Sequence, residues 1–208
     1  REEKVSQTNL PEPKISNLYK GRFPITLNLK GNQIALPKKL PVYKLRSSEY
    51  DSSTIKTIAE RFGFVSEPLK TEDSLLGIIY VFSSSNNFLS IAPIQRIVDF
   101  KTNILPTSPA GDFSEEEFKS IALDFLLEKK IISDKNDLKL FKVRAISVGP
   151  GGHISEELEP NVISISFIKT VKDIPIISGS HEMGTVNVKL NKEKEVLSVY
   201  VDDLPEME

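Results

Sequence analysis

The sequence predicts an α+β protein made of two related lobes, each a helix packed on a small antiparallel sheet. A helical pattern, TIKTIAERFGF at 54–64, returns as EFKSIALDFLL at 117–127. In each copy the apolar residues follow the i, i+3, i+4, i+7 spacing of one helix face. Each copy is followed by β-branched and aromatic runs between polar turns, which is typical of antiparallel strands.

The two predicted helices share their start signals as well as their apolar positions. Asp51 and Ser114 occupy equivalent N-cap positions, and Ser114 with Glu117 has the spacing of a capping box. Phe113 is placed to form a hydrophobic staple with Phe118. A duplicated helix-plus-sheet unit explains these matches. The matching apolar positions are Ile55, Ile58, Ala59 and Phe62 in the first helix and Phe118, Ile121, Ala122 and Phe125 in the second.

Composition along the chain predicts three segments. Residues 1–20 are charged and polar with two prolines, which predicts a solvated, juxtamembrane-like linker. Residues 21–105 are the predicted first lobe and residues 106–208 the second, because NILPTSPAG at 103–111 is rich in turn residues. Since the chain begins with Arg1 rather than Met, we expect that an N-terminal signal or membrane anchor preceded the linker.

The elements of the first lobe follow from alternation and turn signals. Apolar residues alternate in FPITLNLK at 23–30, which predicts a strand with one wet face. Gly63 is a suitable left-handed cap for the first helix. Three antiparallel strands follow, at 76–82, 88–92 and 95–102.

The second lobe repeats this order, with a helix from Ser114 to about Lys130 and then strands. The turn at 191–194 joins the last two strands and sets their register. Residues 202–208 are an acidic tail that we expect to be frayed. The predicted strands are 138–148, 161–169, 174–177, 185–190 and 195–201.

The second lobe resembles a known kind of bacterial domain. A helix SEEEFKSIALDFL, paired strands and the closing segment IPIISGSHEMGTVNVKLNKEKEVLSVYV are similar to the PepSY-type and YycI-like extracytoplasmic modules. Asp173 stands where the closing phrase of those modules has glycine, and the first lobe has no clear closing hairpin. The resemblance implies extracytoplasmic regulation or inhibition through protein contact.

Composition excludes several classes of function. The chain has 27 Lys and Arg against 29 Asp and Glu, so it lacks the net basic character of most nucleic-acid-binding proteins. It has no cysteine, which excludes disulfides, thiol catalysis and cysteine-ligated metal. The absence of cysteines and of Asn-Xaa-Ser/Thr sequons favours a bacterial source over a eukaryotic secreted one.

The conspicuous candidates for chemistry lie between 149 and 182. The loop GPGGH at 149–153 lacks the Lys-Ser/Thr of a phosphate-binding loop, so we interpret it as a connection between strands. His153 and His181, with Glu156 or Glu182, have no recognised ligand spacing. The serines near the histidines, Ser155, Ser178 and Ser180, lack a nucleophile elbow.

Two further groups of residues have structural explanations. Glu115, Glu116 and Glu117 place favourable negative charge at a helix N-terminus. An aromatic and amide-rich group on one hairpin suits either a contact surface or a sheet core, and we favour the core. Its members are Tyr80, Phe82, Asn86, Asn87 and Phe88.

The sequence therefore predicts a non-enzymatic, extracytoplasmic, membrane-tethered module that binds a partner protein. It predicts no catalytic residue, cofactor or metal ligand, no nucleic-acid partner, and membrane association only through the missing N-terminal segment. The alternative is a cell-envelope hydrolase or metal-dependent enzyme with a site near His153 and His181.

Overall fold

Two α-helices, one short 3-10 helix and one antiparallel sheet are the regular elements in the part of the chain that the structure describes. The helices are α1 (Ser52–Arg61), α2 (Glu115–Glu128) and a short 3-10 helix, η1 (Lys135–Asp137). The strands are β1 (Leu69–Asp73), β2 (Gly77–Ser83), β3 (Asn87–Ala92), β4 (Ile97–Thr102), β5 (Leu138–Ile146), β6 (Val162–Val171), β7 (Ile174–Pro175), β8 (Val186–Leu190) and β9 (Val196–Asp202). This computed structural model describes residues 49–104, 113–149, 159–171, 174–175 and 184–202, which all lie within the unit Ser47–Pro205.

The strand order places the last strand in the middle of the sheet. The order is β1-β2-β3-β4-β9-β8-β6-β5, and every neighbouring pair is antiparallel. Among the described strands, the two-residue β7 pairs with the end of β6 alone. Strand β9 therefore joins the strands that follow α1 to those that follow α2.

The prediction of two lobes, each with its own small sheet, is wrong. Strand β9 pairs with β4 from Ile97 opposite Asp202 to Lys101 opposite Ser198, so both helices share one sheet. Without this pairing, β4 would be an unprotected edge of an apolar sheet. The alternating Val199 and Val201 of β9 continue the apolar face of β4, which fixes the register.

Helix α1 forms where the sequence predicts it and buries the predicted face. The carboxylate of Asp51 accepts a hydrogen bond of 2.7 Å from the Thr54 N–H, which confirms the N-cap. Ile55, Ile58 and Ala59 are buried in the core. Gly63 follows the helix with φ +85°, the left-handed conformation expected of the residue after a helix.

Helix α2 has the predicted N-cap and hydrophobic staple, whereas the Glu117 side chain of the predicted capping box bonds to Lys194. Ser114 is its N-cap, and the Phe113 and Phe118 rings contact each other with centroids 6.0 Å apart, which confirms the staple. The Glu117 carboxylate accepts a hydrogen bond from Lys194 in the β8–β9 turn, so it ties the helix start to the sheet.

The buried face of α2 is rotated from the predicted one. The predicted Phe118 and Ala122 are buried, but Ile121 and Phe125 are only half-buried. The helix lies against β6 and β8, so the residues that meet the sheet centre come one position later than predicted. The buried residues of α2 are Phe118, Ala122, Leu123 and Leu126.

A phenylalanine cluster holds the two helices to the sheet. The Phe62 ring of α1 lies 4.9 Å from Phe100 of β4 and 6.4 Å from Phe125 of α2, measured between centroids. The Arg61 guanidinium donates to the Lys130 carbonyl at 3.1 Å, which links the ends of the two helices. The core is thus one apolar layer between the helices and one face of the sheet.

Candidate functional site

Strand β1 forms one exposed edge of the sheet. Among the described strands it pairs only with β2, from Leu69 opposite Val81 to Asp73 opposite Gly77. Residues 69–72 are all exposed. An edge strand presents N–H and C=O groups of every second residue outward, where another strand can bind them.

Large apolar side chains are exposed around this strand. Val65 is 94% exposed and Leu75 is 86% exposed, at opposite ends of β1. Single exposed apolar residues are common, but a group around one unpaired strand is typical of an interaction site. We call β1 and these side chains the β1 edge surface; its apolar members are Val65, Leu69, Leu75, Ile78 and Ile94.

The β1–β2 turn holds Leu75 in its exposed position. The Asp73 carboxylate accepts hydrogen bonds from the N–H groups of Leu75 (2.8 Å) and Leu76 (2.9 Å). These bonds, with Leu76 the stronger contributor, lower the pKa of Asp73. The Gln95 side-chain amide donates to the Leu75 carbonyl at 3.3 Å. The turn is therefore fixed on both sides and displays its apolar side chain.

A cavity of about 500 Å³ lies between α1 and the first two strands, beside the β1 edge surface. Ile55, Phe64 and Phe82 contribute to its apolar lining. Lys70 of β1 lies at its border, with Nζ 5.2 Å from the centre of the Tyr80 ring. The cavity suits an apolar side chain of a bound protein better than a charged ligand.

A second cavity, of about 520 Å³, lies between α2 and the β4–β9 part of the sheet. The phenylalanine cluster, Phe62, Phe100 and Phe125, lines it. Thr102 also lines it, and its buried Oγ1 has no hydrogen-bond partner among the described residues. This cavity has the composition for a small apolar group with one polar atom.

The charges at the rim of the second cavity already have partners. Asp124 pairs with Lys135 at 2.6 Å, and the hydrogen bond from Lys135 is the main cause of its lowered pKa. Lys194 pairs with Glu117, and Lys129 lies over the Phe125 ring at 5.3 Å. A charged ligand would have to displace these contacts before it could bind the rim. The second cavity is therefore poorly suited to a charged ligand.

The face of the sheet opposite the helices carries polar residues in two cross-strand rows. The register makes each row continuous over four or five neighbouring strands. One row is Ser90, Asp99, Tyr200, Asn187 and Ser166, and the other is Lys101, Ser198, Lys189 and Ser164.

The ionisable groups of these rows influence one another. Asp99 pairs with Lys101 at 2.6 Å. Burial, followed by the nearby Lys101 charge, lowers the pKa of Lys189. Burial, followed by the Asp202 and Asp99 charges, raises the pKa of Tyr200. At neutral pH the tyrosine therefore remains protonated.

Asn187 of the first row is 3% exposed. Its side-chain amide donates to the hydroxyls of Ser164 (3.0 Å) and Ser166 (2.9 Å) and to the Ile165 carbonyl (3.3 Å). A buried amide that is saturated by its own sheet stabilises the pairing of β6 with β8. The polar rows are therefore part of the fold rather than a candidate site.

The sequence candidates for catalysis and metal binding lie outside the described residues, except Gly149 at the start of the glycine loop. The alternative of an enzyme site near His153 and His181 thus stays a prediction. In the described part of the chain, no group of three or more His, Cys, Asp or Glu side chains is placed to hold a metal ion. The residues outside the described part are His153, Ser155, Glu156, Ser178, Ser180, His181 and Glu182.

The remaining candidate residues from the sequence analysis do not come together in the structure. Tyr80 and Phe82 face the helices, which confirms the core interpretation for them, while Phe88 is 40% exposed on the other face. Glu116 pairs with Lys119 at 3.1 Å at the start of α2.

The sequence pattern missed the β1 edge surface because LKTED lacks alternating apolar residues. Only its pairing with β2 identifies this segment as a strand.

Comparison of the chain with protein-family models, curated proteins and solved structures gave no match. The similarity to PepSY-type and YycI-like modules thus stays a prediction. In the described ranges, no helix is long and apolar enough to cross a lipid bilayer.

Proposed function

We propose that this protein is a non-enzymatic interaction module that binds a partner protein through the β1 edge surface. The observation that carries the proposal is the group of exposed apolar side chains around a strand with one edge to which no described strand pairs. Main-chain hydrogen bonds along such an edge supply affinity, and neighbouring side-chain pockets supply selectivity. The cavity beside α1 is a pocket of this kind.

We further propose that the module acts outside the cytoplasm, tethered to a membrane. The polar, proline-containing residues 1–20, which have the composition of a solvated spacer, support this location. Regulation of the partner through contact is the role implied by the resemblance of the second half to extracytoplasmic regulatory modules.

Site-specific photo-crosslinking in the source cells tests the interaction. A photoreactive phenylalanine analogue replaces Thr71 at the centre of β1, and the matched control carries it at Ser120, an exposed position of α2. We expect a protein adduct of discrete mass from position 71 and none from position 120. Absence of an adduct at position 71, or equal adducts at both positions, would contradict the proposal.

A further inference from the structure

We propose that the protein bound at the β1 edge surface is a second copy of this chain, paired antiparallel through β1. This inference rests on the proposed function and names its partner. The β1 sequence LKTED is complementary to itself: a two-fold axis through Thr71 places Lys70 of each copy opposite Glu72 of the other. Opposite charges at directly opposed positions stabilise a strand pair, and the axis makes this pair occur twice.

The backbone geometry is compatible with this pairing. Lys70 and Glu72 are two residues apart, so their N–H and C=O groups point in the same direction within the strand. The axis passes midway between the two Thr71 residues. Each main-chain hydrogen bond formed on one side of the axis is therefore repeated on the other side. Thr71 lies opposite Thr71 of the second copy, which is a favourable cross-strand pair. The result is one antiparallel sheet that continues from one copy into the other.

The same axis accounts for the exposed apolar side chains at both ends of β1. The pairing places residue 69 opposite residue 73 of the second copy, so the C-terminal end of each β1 lies beside the N-terminal end of the other. Leu75 of one copy therefore lies beside the segment before β1 of the other, where Val65 is exposed. Both side chains are more than four-fifths exposed in the single chain. Pairing at β1 removes apolar surface from water at two symmetric places.

The opposite edge of the sheet does not offer an equivalent pairing. Strand β5 has a register irregularity between Leu140 and Lys142, which interrupts its ladder with β6. Its charged residues are Lys139, Lys142 and Arg144, so any antiparallel self-pairing would bring cations near cations. Among the two described edges, only β1 combines regular pairing with self-complementary charge.

Charge reversal on β1 tests the inference by sedimentation velocity over a concentration series of the 208-residue chain. Lys70→Glu gives two facing Glu–Glu pairs, and Glu72→Lys gives two facing Lys–Lys pairs. We expect each single variant to weaken self-association by about tenfold or more. The exchanged variant Lys70→Glu/Glu72→Lys recovers the parent behaviour, because the opposite charges again face each other.

Mixing the two single variants is the most specific measurement. The Lys70→Glu strand then has glutamates at positions 70 and 72, and the Glu72→Lys strand has lysines at both, so a mixed dimer forms more tightly than either variant pairs with itself. Lys192→Glu, at an exposed position of the β8–β9 turn, is the control and should associate like the parent.

Several outcomes would overturn the self-pairing. These outcomes are a parent chain that remains monomeric at the highest concentration, single variants that both associate like the parent, and a mixture that shows no dimer. In the crosslinking experiment, an adduct with a different protein would leave the proposed function standing and reject a second copy as the partner. Absence of any specific adduct would reject both.

Discussion

Gly184 shows how one residue limits the substitutions that the sheet tolerates. Its φ is +65°, and an added Cβ would lie 2.3 Å from the Phe167 carbonyl oxygen. Gly63 has a similar φ of +85°, but an added Cβ there meets nothing within 4 Å. Both glycines have a left-handed backbone conformation, but only Gly63 has space around it for a side chain.

We therefore expect Gly184→Ala to destabilise the protein by about 3 kcal/mol or more, because the backbone of Phe167 must move. Gly63→Ala, which introduces only the left-handed conformation, should cost about 1 kcal/mol. Urea denaturation of both variants measures these free energies of unfolding. Equal losses would contradict the predicted clash at position 184.

Asp51 makes a pH-dependent contribution to stability at the start of α1. Its pKa falls from the ordinary 3.8 to about 2, first because the Thr54 N–H donates to the carboxylate. The depressed pKa means that the stabilisation is present above about pH 4 and is lost as the pH falls through about 2. We expect Asp51→Ala to lower the urea midpoint at pH 7, with a difference from the parent that shrinks toward pH 2.

Asp51→Asn is the matched control, because asparagine keeps a hydrogen-bond acceptor but has no titrating charge. Its stability should change less over the same pH interval than that of the parent. If the difference between the parent and Asp51→Ala is independent of pH, the charge of Asp51 does not contribute to the cap.

At the scale of single elements, the sequence predicts most helices and strands in the described part but misses β1. Apolar alternation identified β8, and β-branched and aromatic residues between polar turns identified β3, because both strands must meet the core. Residues 69–72 are all exposed at the sheet edge, so no core contact imposes alternation on that strand. The sequence pattern could not identify the candidate site, because an edge strand that is open to a partner carries polar and charged residues, as other surface segments do.

Helix α2 illustrates the difference between predicting a helix and predicting its buried face. Periodicity alone allowed Phe125 as a core residue, but contact with β6 and β8 buries Leu126 completely. Phe125 lines the second cavity and is already partly in contact with solvent. The face is decided by the sheet that the helix meets, which lies far away in the sequence.

We expect Leu126→Ala to cost about 3 to 5 kcal/mol, because it removes a fully buried side chain and leaves a cavity. Phe125→Ala should cost about 1 to 2 kcal/mol, because the half-buried ring loses less apolar contact. Thermal or urea unfolding gives both values. A larger loss of unfolding free energy for Phe125→Ala than for Leu126→Ala would mean that α2 buries the face predicted from periodicity.

At the scale of the whole molecule, the repeated helices suggested a duplication that the sheet does not follow. Caps and apolar stripes are local signals and predicted both helices correctly. Pairing of β9 with β4 joins residues about 100 positions apart, and no local pattern reports such a partner. Val199 and Val201 of β9 alternate with Ser198 and Tyr200, a pattern that fits an edge strand as well as a central one, so it could not reveal that both halves share one sheet.

A single sheet makes a prediction that two independent lobes do not. Val199 of β9 is fully buried and faces Phe100 on one side and Val188 on the other. Val199→Ala should destabilise the protein by about 2 to 3 kcal/mol, through lost apolar contact and the cavity left behind. Because β9 holds the two halves together, the amides of β3 and β6 should lose hydrogen-exchange protection by the same factor, roughly 30-fold to 150-fold at 1.4 kcal/mol per tenfold. Leu89 of β3 and Ile165 of β6 are suitable reporters, since both lie in buried central strands. Loss of protection at Ile165 with none at Leu89 would mean that the two halves unfold independently, which would contradict a single cooperative sheet.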